Sequence, residues 1–291
     1  VRSFLIGTGR CGSTLVYEVL ARHPHVGFVS GLDNRWPLTP GPVRRNAGAI
    51  YRRVPPGLAT RNGTRFGPSE AYAALSREVS PVITDPFRDL TAADATPWLA
   101  ARLRRFFDRR AAGEQRHFTH KFTGWPRAAF LREVFPEARF VHIVRDGRAV
   151  ANSLNQMPWW RGHLGPAGWR FGPLPDHYAQ EWDDGGRCLA HLAGIGWKIM
   201  MDAYEVARAA VPDDHWLEVR YEDLLTNPRK HMDVILDFLG LAWTADFERD
   251  LARRTFSEGR AEAFRKDLTP GQLALLNRSL IGHLHRYGYG L

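Results

Sequence analysis

A short apolar run, Phe4-Leu5-Ile6, passes directly into Gly7-Thr8-Gly9-Arg10-Cys11-Gly12-Ser13-Thr14, and apolar residues follow at Leu15, Val16, Val19 and Leu20. That is strand, glycine turn, helix, because the apolar spacing changes from a continuous run to a helical stripe. A turn in this setting exposes the unbonded N–H groups of the first helical residues, and the helix dipole adds positive potential. The turn therefore suits a phosphate, with Gly9, Arg10, Cys11, Gly12, Ser13 and Thr14 as its candidate contacts. The spacing Gly7 to Gly12 imitates a P-loop, but position 13 is Ser where an ATP-binding P-loop has Lys. The basic residue is Arg10, inside the loop. Phosphate binding is expected here without the ATP and magnesium signature.

The same alternation continues along the chain. Val26–Val29 reads as a second strand, Phe118–Phe122 as another and Arg139–Val144 as a buried one. Asp146 is placed to cap a helix running to about Leu154. Helical patterns cover about 69–79, 97–112, 126–135, 189–210 and Arg229–Leu239, the last stopped at Gly240. His215–Val219 is a further strand, and a final helix starts at Thr269-Pro270. Two stretches, about 30–69 and 155–187, lose periodicity and are expected to be irregular excursions, the second rich in Trp. Strands alternating with helices predict an α/β fold: a central parallel sheet flanked by helices, a P-loop-like nucleotide-binding fold in one domain over 1–291. Ligands of such sheets sit at the carboxyl ends of the strands.

The balance of 40 basic against 31 acidic residues gives a formal charge of +9. An anionic partner is expected, whether a phosphorylated co-substrate or an acidic acceptor. No helix-turn-helix, RRM or zinc-finger signature accompanies the charge, so nucleic acid is not the expected partner. The two cysteines, Cys11 and Cys188, form no metal or disulfide spacing. A reducing, cytoplasmic setting is the expectation. The chain begins directly in its first strand, so a targeting segment upstream is left open. No apolar run is long enough to span a bilayer, and oligomeric state is not legible.

A second strand-to-helix turn, Val144-Arg145-Asp146-Gly147-Arg148-Ala149-Val150-Ala151-Asn152-Ser153, places a basic residue and a hydroxyl eight positions apart. Taken with the first loop, it makes the sequence resemble the sulfotransferases that use 3′-phosphoadenosine 5′-phosphosulfate (PAPS). The branch it is most similar to holds the tyrosylprotein sulfotransferases and many bacterial relatives, judged by Phe135-Pro136-Glu137-Ala138-Arg139-Phe140 leading into Arg145-Asp146-Gly147. Further matches are Tyr221-Glu222-Asp223-Leu224, Phe264-Arg265-Lys266-Asp267-Leu268-Thr269-Pro270 and Tyr287-Gly288-Tyr289. The resemblance implies that residues 7–14 bind the 5′-phosphosulfate and that Arg145 and Ser153 bind the 3′-phosphate. It implies Tyr221 near the adenine, Arg265 and Lys266 near the 3′-phosphate, and PAP as the released product.

Sulfuryl transfer needs an in-line acceptor, positive charge where charge develops and a base for the acceptor proton. It requires no metal, and His283 with His285 is a poor ligand set. The resemblance makes Arg10 and Lys121 the charge-stabilising residues. Asp33, in Asp33-Asn34-Arg35, stands where related enzymes carry a carboxylate base; His120 is the competing base. Two other functions stay in view: a P-loop-like kinase, which Ser13 disfavours, and a non-catalytic binder of nucleotide or acidic polymer. The acceptor's class is left open, with the basic charge leaning toward an acidic one.

Overall fold

The computed structural model describes residues 1–36, 39–55, 65–111, 117–257 and 261–291. Five strands, β1 (Arg2–Ile6), β2 (Val26–Gly27), β3 (His117–Lys121), β4 (Arg139–Val144) and β5 (Trp216–Arg220), form one parallel sheet in the order β2-β3-β1-β4-β5. In the register, Ser3 lies opposite Thr119 on one side and Arg139 on the other. From β1 the chain leaves toward the β2 edge, and from β4 it leaves toward the β5 edge. The crevice between β1 and β4 is therefore a switch point, where such sheets bind ligands.

The helices of the first half are α1 (Ser13–Leu20), α2 (Gly31–Arg35), α3 (Gly41–Arg53), α4 (Tyr72–Glu78), α5 (Pro81–Thr84), α6 (Pro97–Asp108) and α7 (Ala128–Val134). Those of the second half are α8 (Gly147–Asn155), α9 (Asp176–Asp184), α10 (Leu189–Ala209), α11 (Tyr221–Thr226), α12 (Pro228–Leu239), α13 (Ala245–Ala252), α14 (Phe264–Asp267) and α15 (Pro270–Arg286). The predicted stop signals act as read. Gly240 closes α12 in the left-handed region at φ 68°, and Thr269 opens α15 with a capping box completed by Gln272.

The expectation of two irregular stretches is corrected where the chain is described. Helix α3 lies in the first and α9 in the second. Each shows few apolar side chains toward the core: α3 buries Ala47 and Tyr51, one turn apart, and α9 buries Tyr178. A stripe that narrow leaves almost no periodicity to read. The parts of the first stretch at 37–38 and 56–64, and the expected end of the helix at 112, lie outside the described residues.

Alternation along the strands splits the core in two. Phe4 and Ile6 face one layer, shared with α6, α7, α8, α10 and α15, while Leu5 faces the other, shared with α1 and α12. Phe4 and Phe140 stack across adjacent strands with ring centroids 5.9 Å apart. Among the described residues no helix is long and apolar enough to cross a membrane.

A buried ion pair locks the start of α8. Asp146 caps the helix by accepting from the Arg148 N–H at 2.8 Å, and its other oxygen accepts from Arg148 Nη2 at 2.7 Å. Arg148 also donates to Asn277 on α15 and to the Gly290 carbonyl. Glu222 accepts from the Asp146 N–H at 3.2 Å and from the Tyr289 hydroxyl at 2.7 Å. The sequence segments around 146, 222 and 289 thus meet at one helix end. Removing one partner leaves the other charge buried and unpaired, so Asp146→Ala should lower stability by about 3–5 kcal/mol, measured by urea unfolding.

Candidate active site

The first turn is built to leave helix N–H groups available. Gly12 precedes α1 at φ 90°, caps it with no side chain, and no acidic residue occupies the first helical turn. A Cβ at position 12 would lie 2.2 Å from the Tyr221 ring, so this position excludes every side chain on both steric and conformational grounds. Arg10 also sits in the left-handed region, at φ 70°, a conformation that costs free energy and concentrates at functional sites. Cys11 turns its thiol into the core, and burial raises its pKa. It offers the site its backbone only.

The second turn meets the first directly. Arg10 Nε donates to Ser153 Oγ at 2.8 Å, and Arg145 Nη1 donates to the Arg10 carbonyl at 3.0 Å. The Arg145 guanidinium lies over the Tyr221 ring, 5.0 Å from its centroid. Four residues singled out from two distant parts of the sequence and a third segment are thereby brought together at the β1–β4 crevice.

A cleft of about 570 Å³ opens there, lined by Gly9, Arg10, Gly12, Ser13, Thr14, Lys121, Arg145 and Tyr221 among others. Its charged lining is Arg10, Lys121, Arg145 and Arg170 against one carboxylate, Glu70. Lys121 is buried at the end of β3; its Nζ donates to Thr14 Oγ1 at 2.7 Å and pairs with Glu70 Oε1 at 2.9 Å. A second, apolar hollow of about 90 Å³ adjoins the cleft, lined by Trp125, Trp159, Trp160, Phe171, Trp197 and Met200 with several polar residues. Gly9, Tyr72, Thr123, Trp159 and Arg170 line both.

Neither expected base lines either space. Asp33 is buried on α2, where Arg44 Nε stands 3.0 Å and Arg110 Nε 3.3 Å from Oδ1 and Ser30 Oγ donates to Oδ2. It neutralises two guanidinium groups instead of facing substrate. His120 is wholly buried among Phe107, Phe122 and Tyr17. Strand alternation explains the error: Lys121 reaches the cleft, so its neighbour points elsewhere. Arg265 and Lys266 are exposed on α14, which packs on α8, and Arg265 pairs with Glu262 at 3.3 Å. Glu70, Tyr72 and Thr123 line the cleft but carried no motif; only the nearness of Thr123 to Lys121 on one strand end hinted at it.

Residues 3–245 match the family model described as the sulfotransferase family. The chain belongs to the sulfotransferase family. It is 30% identical over 187 residues to the omega-hydroxy-beta-dihydromenaquinone-9 sulfotransferase Stf3 of Mycobacterium tuberculosis, covering 63% of this chain and 43% of that protein. It is 28% identical over 116 residues to protein-tyrosine sulfotransferase A of Caenorhabditis elegans, covering 40% of this chain and 25% of that one. This sulfotransferase chain thus spans under half the length of these curated relatives. Its fold is like that of sulfotransferase STF9 from Mycobacterium avium (TM-score 0.64, 15% identity, 100% of this chain and 77% of that one). It is also like the sulfotransferase domain of the Synechococcus PCC 7002 olefin synthase (TM-score 0.53, 19% identity, 100% and 96%).

Two outcomes follow. Gly12→Ala should drive Tyr221 from its place and strain the turn by about 1–2 kcal/mol, seen as a lowered melting temperature. Burial, followed by the charges of Lys121 and Arg110, depresses the His120 pKa to about 3. The unfolded chain protonates this histidine first, so stability should fall as pH drops from about 6.5 toward 3. His120→Phe should flatten that decline, measured by urea midpoints at several pH values.

Proposed function

We propose that this chain transfers a sulfuryl group from PAPS to a hydroxyl acceptor by in-line displacement. The observation that carries the reading is Arg10, which bonds to Ser153 with its side chain and to Arg145 with its carbonyl. One residue therefore ties the turn that suits a phosphosulfate to the turn that suits a second phosphate. The cleft volume falls in the range of small-molecule sites, and its cationic lining fits a doubly phosphorylated donor.

The proposed roles follow from the side chains. Backbone N–H groups of Gly9–Thr14 and the hydroxyls of Ser13 and Thr14 hold the 5′-phosphosulfate. Arg145 and Ser153 take the 3′-phosphate, and Tyr221, already stacked with Arg145, borders the adenosine. Arg10 cannot give up a proton at neutral pH, so it stabilises charge on the leaving phosphate. Lys121 supports the transferring group. Ser153 is kept because it bonds to Arg10 of the lining, whereas Arg265 and Lys266 are exposed on α14 outside that lining and are omitted.

The acceptor side is read from the adjoining hollow. Its tryptophans and Phe171 favour a hydroxyl borne on an apolar or aromatic body over an acidic polymer. The names of the two curated relatives point the same way, one to a hydroxylated menaquinone and one to a protein tyrosine.

PAP should raise the melting temperature of the chain in the absence of magnesium. Arg145→Ala should weaken PAP binding about 10- to 100-fold by removing a charged hydrogen bond, measured by calorimetry. With labelled PAPS, 2-naphthol should outcompete an acidic peptide as acceptor. No PAP binding at micromolar concentration would overturn the reading.

A further inference from the structure

We propose that Glu70 is the general base that takes the acceptor's proton, and that Lys121 holds it in place until the donor binds. The inference rests on the transfer reading above and assigns the step that Asp33 and His120 do not fill. Glu70 is the carboxylate in the lining of the cationic cleft, and the residues beside it join that cleft to the apolar hollow. Its Oε1 is 2.9 Å from Lys121 Nζ and accepts from Thr123 Oγ1 at 3.2 Å. Thr123 is itself fixed: its N–H donates to the Tyr72 hydroxyl at 3.0 Å, and Tyr72 and Thr123 line both spaces. The carboxylate is thus oriented from two sides at the junction where an acceptor hydroxyl from the hollow meets a sulfuryl group in the cleft.

Asp85 also borders the hollow, but it is exposed and its Oδ1 accepts from Arg170 Nη2 at 2.6 Å. Asp33 and Glu78 are held by Arg110. Among the described residues Glu70 is therefore the carboxylate placed for the task. It lies two residues before Tyr72, just past the bridge that pairs Ser30 with Pro68, at the start of the helical pattern of about 69–79. It belongs to no motif that would mark it in the sequence.

The chemistry balances. The acceptor O–H proton passes to the Glu70 carboxylate as the acceptor oxygen forms its bond to sulfur. The bond from sulfur to the phosphate oxygen breaks, and its electron pair leaves on that phosphate, giving PAP. Lys121 bonds to both Glu70 and Thr14, so it spans from the base to the phosphate turn. The negative sulfuryl oxygens compete with Glu70 for its ammonium, which frees the carboxylate as the donor arrives.

The test compares the wild-type chain with Glu70→Gln and Glu70→Asp, using labelled PAPS with 2-naphthol, 4-nitrophenol and water as acceptors. Glu70→Gln should bind PAP at least as tightly as wild type, since it removes a carboxylate that competes for Lys121, and should keep an unchanged fold by circular dichroism. Its turnover should fall roughly 10²- to 10⁴-fold with 2-naphthol and water. The loss should be smaller with 4-nitrophenol, whose hydroxyl is already acidic, and Glu70→Asp should retain part of the rate. Turnover of Glu70→Gln within about 3-fold of wild type would overturn the assignment, because a base is worth far more. A loss of PAP binding equal to the loss of rate would overturn it too, making Glu70 part of the donor site. If the wild-type chain neither binds PAP nor consumes PAPS, the transfer reading fails first and this one falls with it.

Discussion

The two hydrogen bonds of Arg10 join parts of the chain that the sequence separates widely. Its side chain reaches Ser153 and its carbonyl receives Arg145. Both contacts require β1 and β4 to be neighbours, and the parallel register that seats Ile6 against His142 supplies that. They also require Arg10 to hold a left-handed backbone conformation that a non-glycine residue adopts at a cost. The surrounding fold meets that cost. Phe4 and Phe140 pack on one face of the two strands, and Leu5, Val141 and Ile143 share the core on the other.

Electrostatics divides the charges between pairs held away from the cleft and groups that line it. Asp146 with Arg148, and Asp33 with Arg110 and Arg44, are buried pairs that fix helix ends and loops. Such pairs add little net stability but penalise any arrangement that separates them. Arg10, Lys121 and Arg145 border the cleft instead, beside an α1 N-terminus that carries no side-chain cap. The positive charge of the chain thus has a local focus as well as a general effect on solubility.

Much of this was legible beforehand because it depends on local rules. Glycine turns, the Asp146 and Thr269 caps and the strand Arg139–Val144 are all short-range signals, and the structure follows them. The two strand-to-helix turns could be read because the apolar spacing changes at each, and the structure joins them through Arg10. The base could not. Asp33 has the right chemistry, but Arg44 and Arg110 reach it from other helices, and pairings of that range leave no trace in spacing. His120 sits beside Lys121 in sequence and on the other side of the strand in space. Glu70 opens the helical pattern of about 69–79 but belongs to no motif, and only the folded chain brings it to Lys121. The helix Gly41–Arg53 escaped notice for a related reason, since the stripe carried by Ala47 and Tyr51 is too narrow to detect.

The central claim is that one ligand spans both turns at once. Hydrogen exchange of the backbone amides, with and without PAP, reads that directly. The account predicts slowed exchange at residues 9–15 and at 145–153 together, rising in parallel with PAP concentration. Protection confined to one of the two turns, or absent from both while PAP is bound, would contradict it.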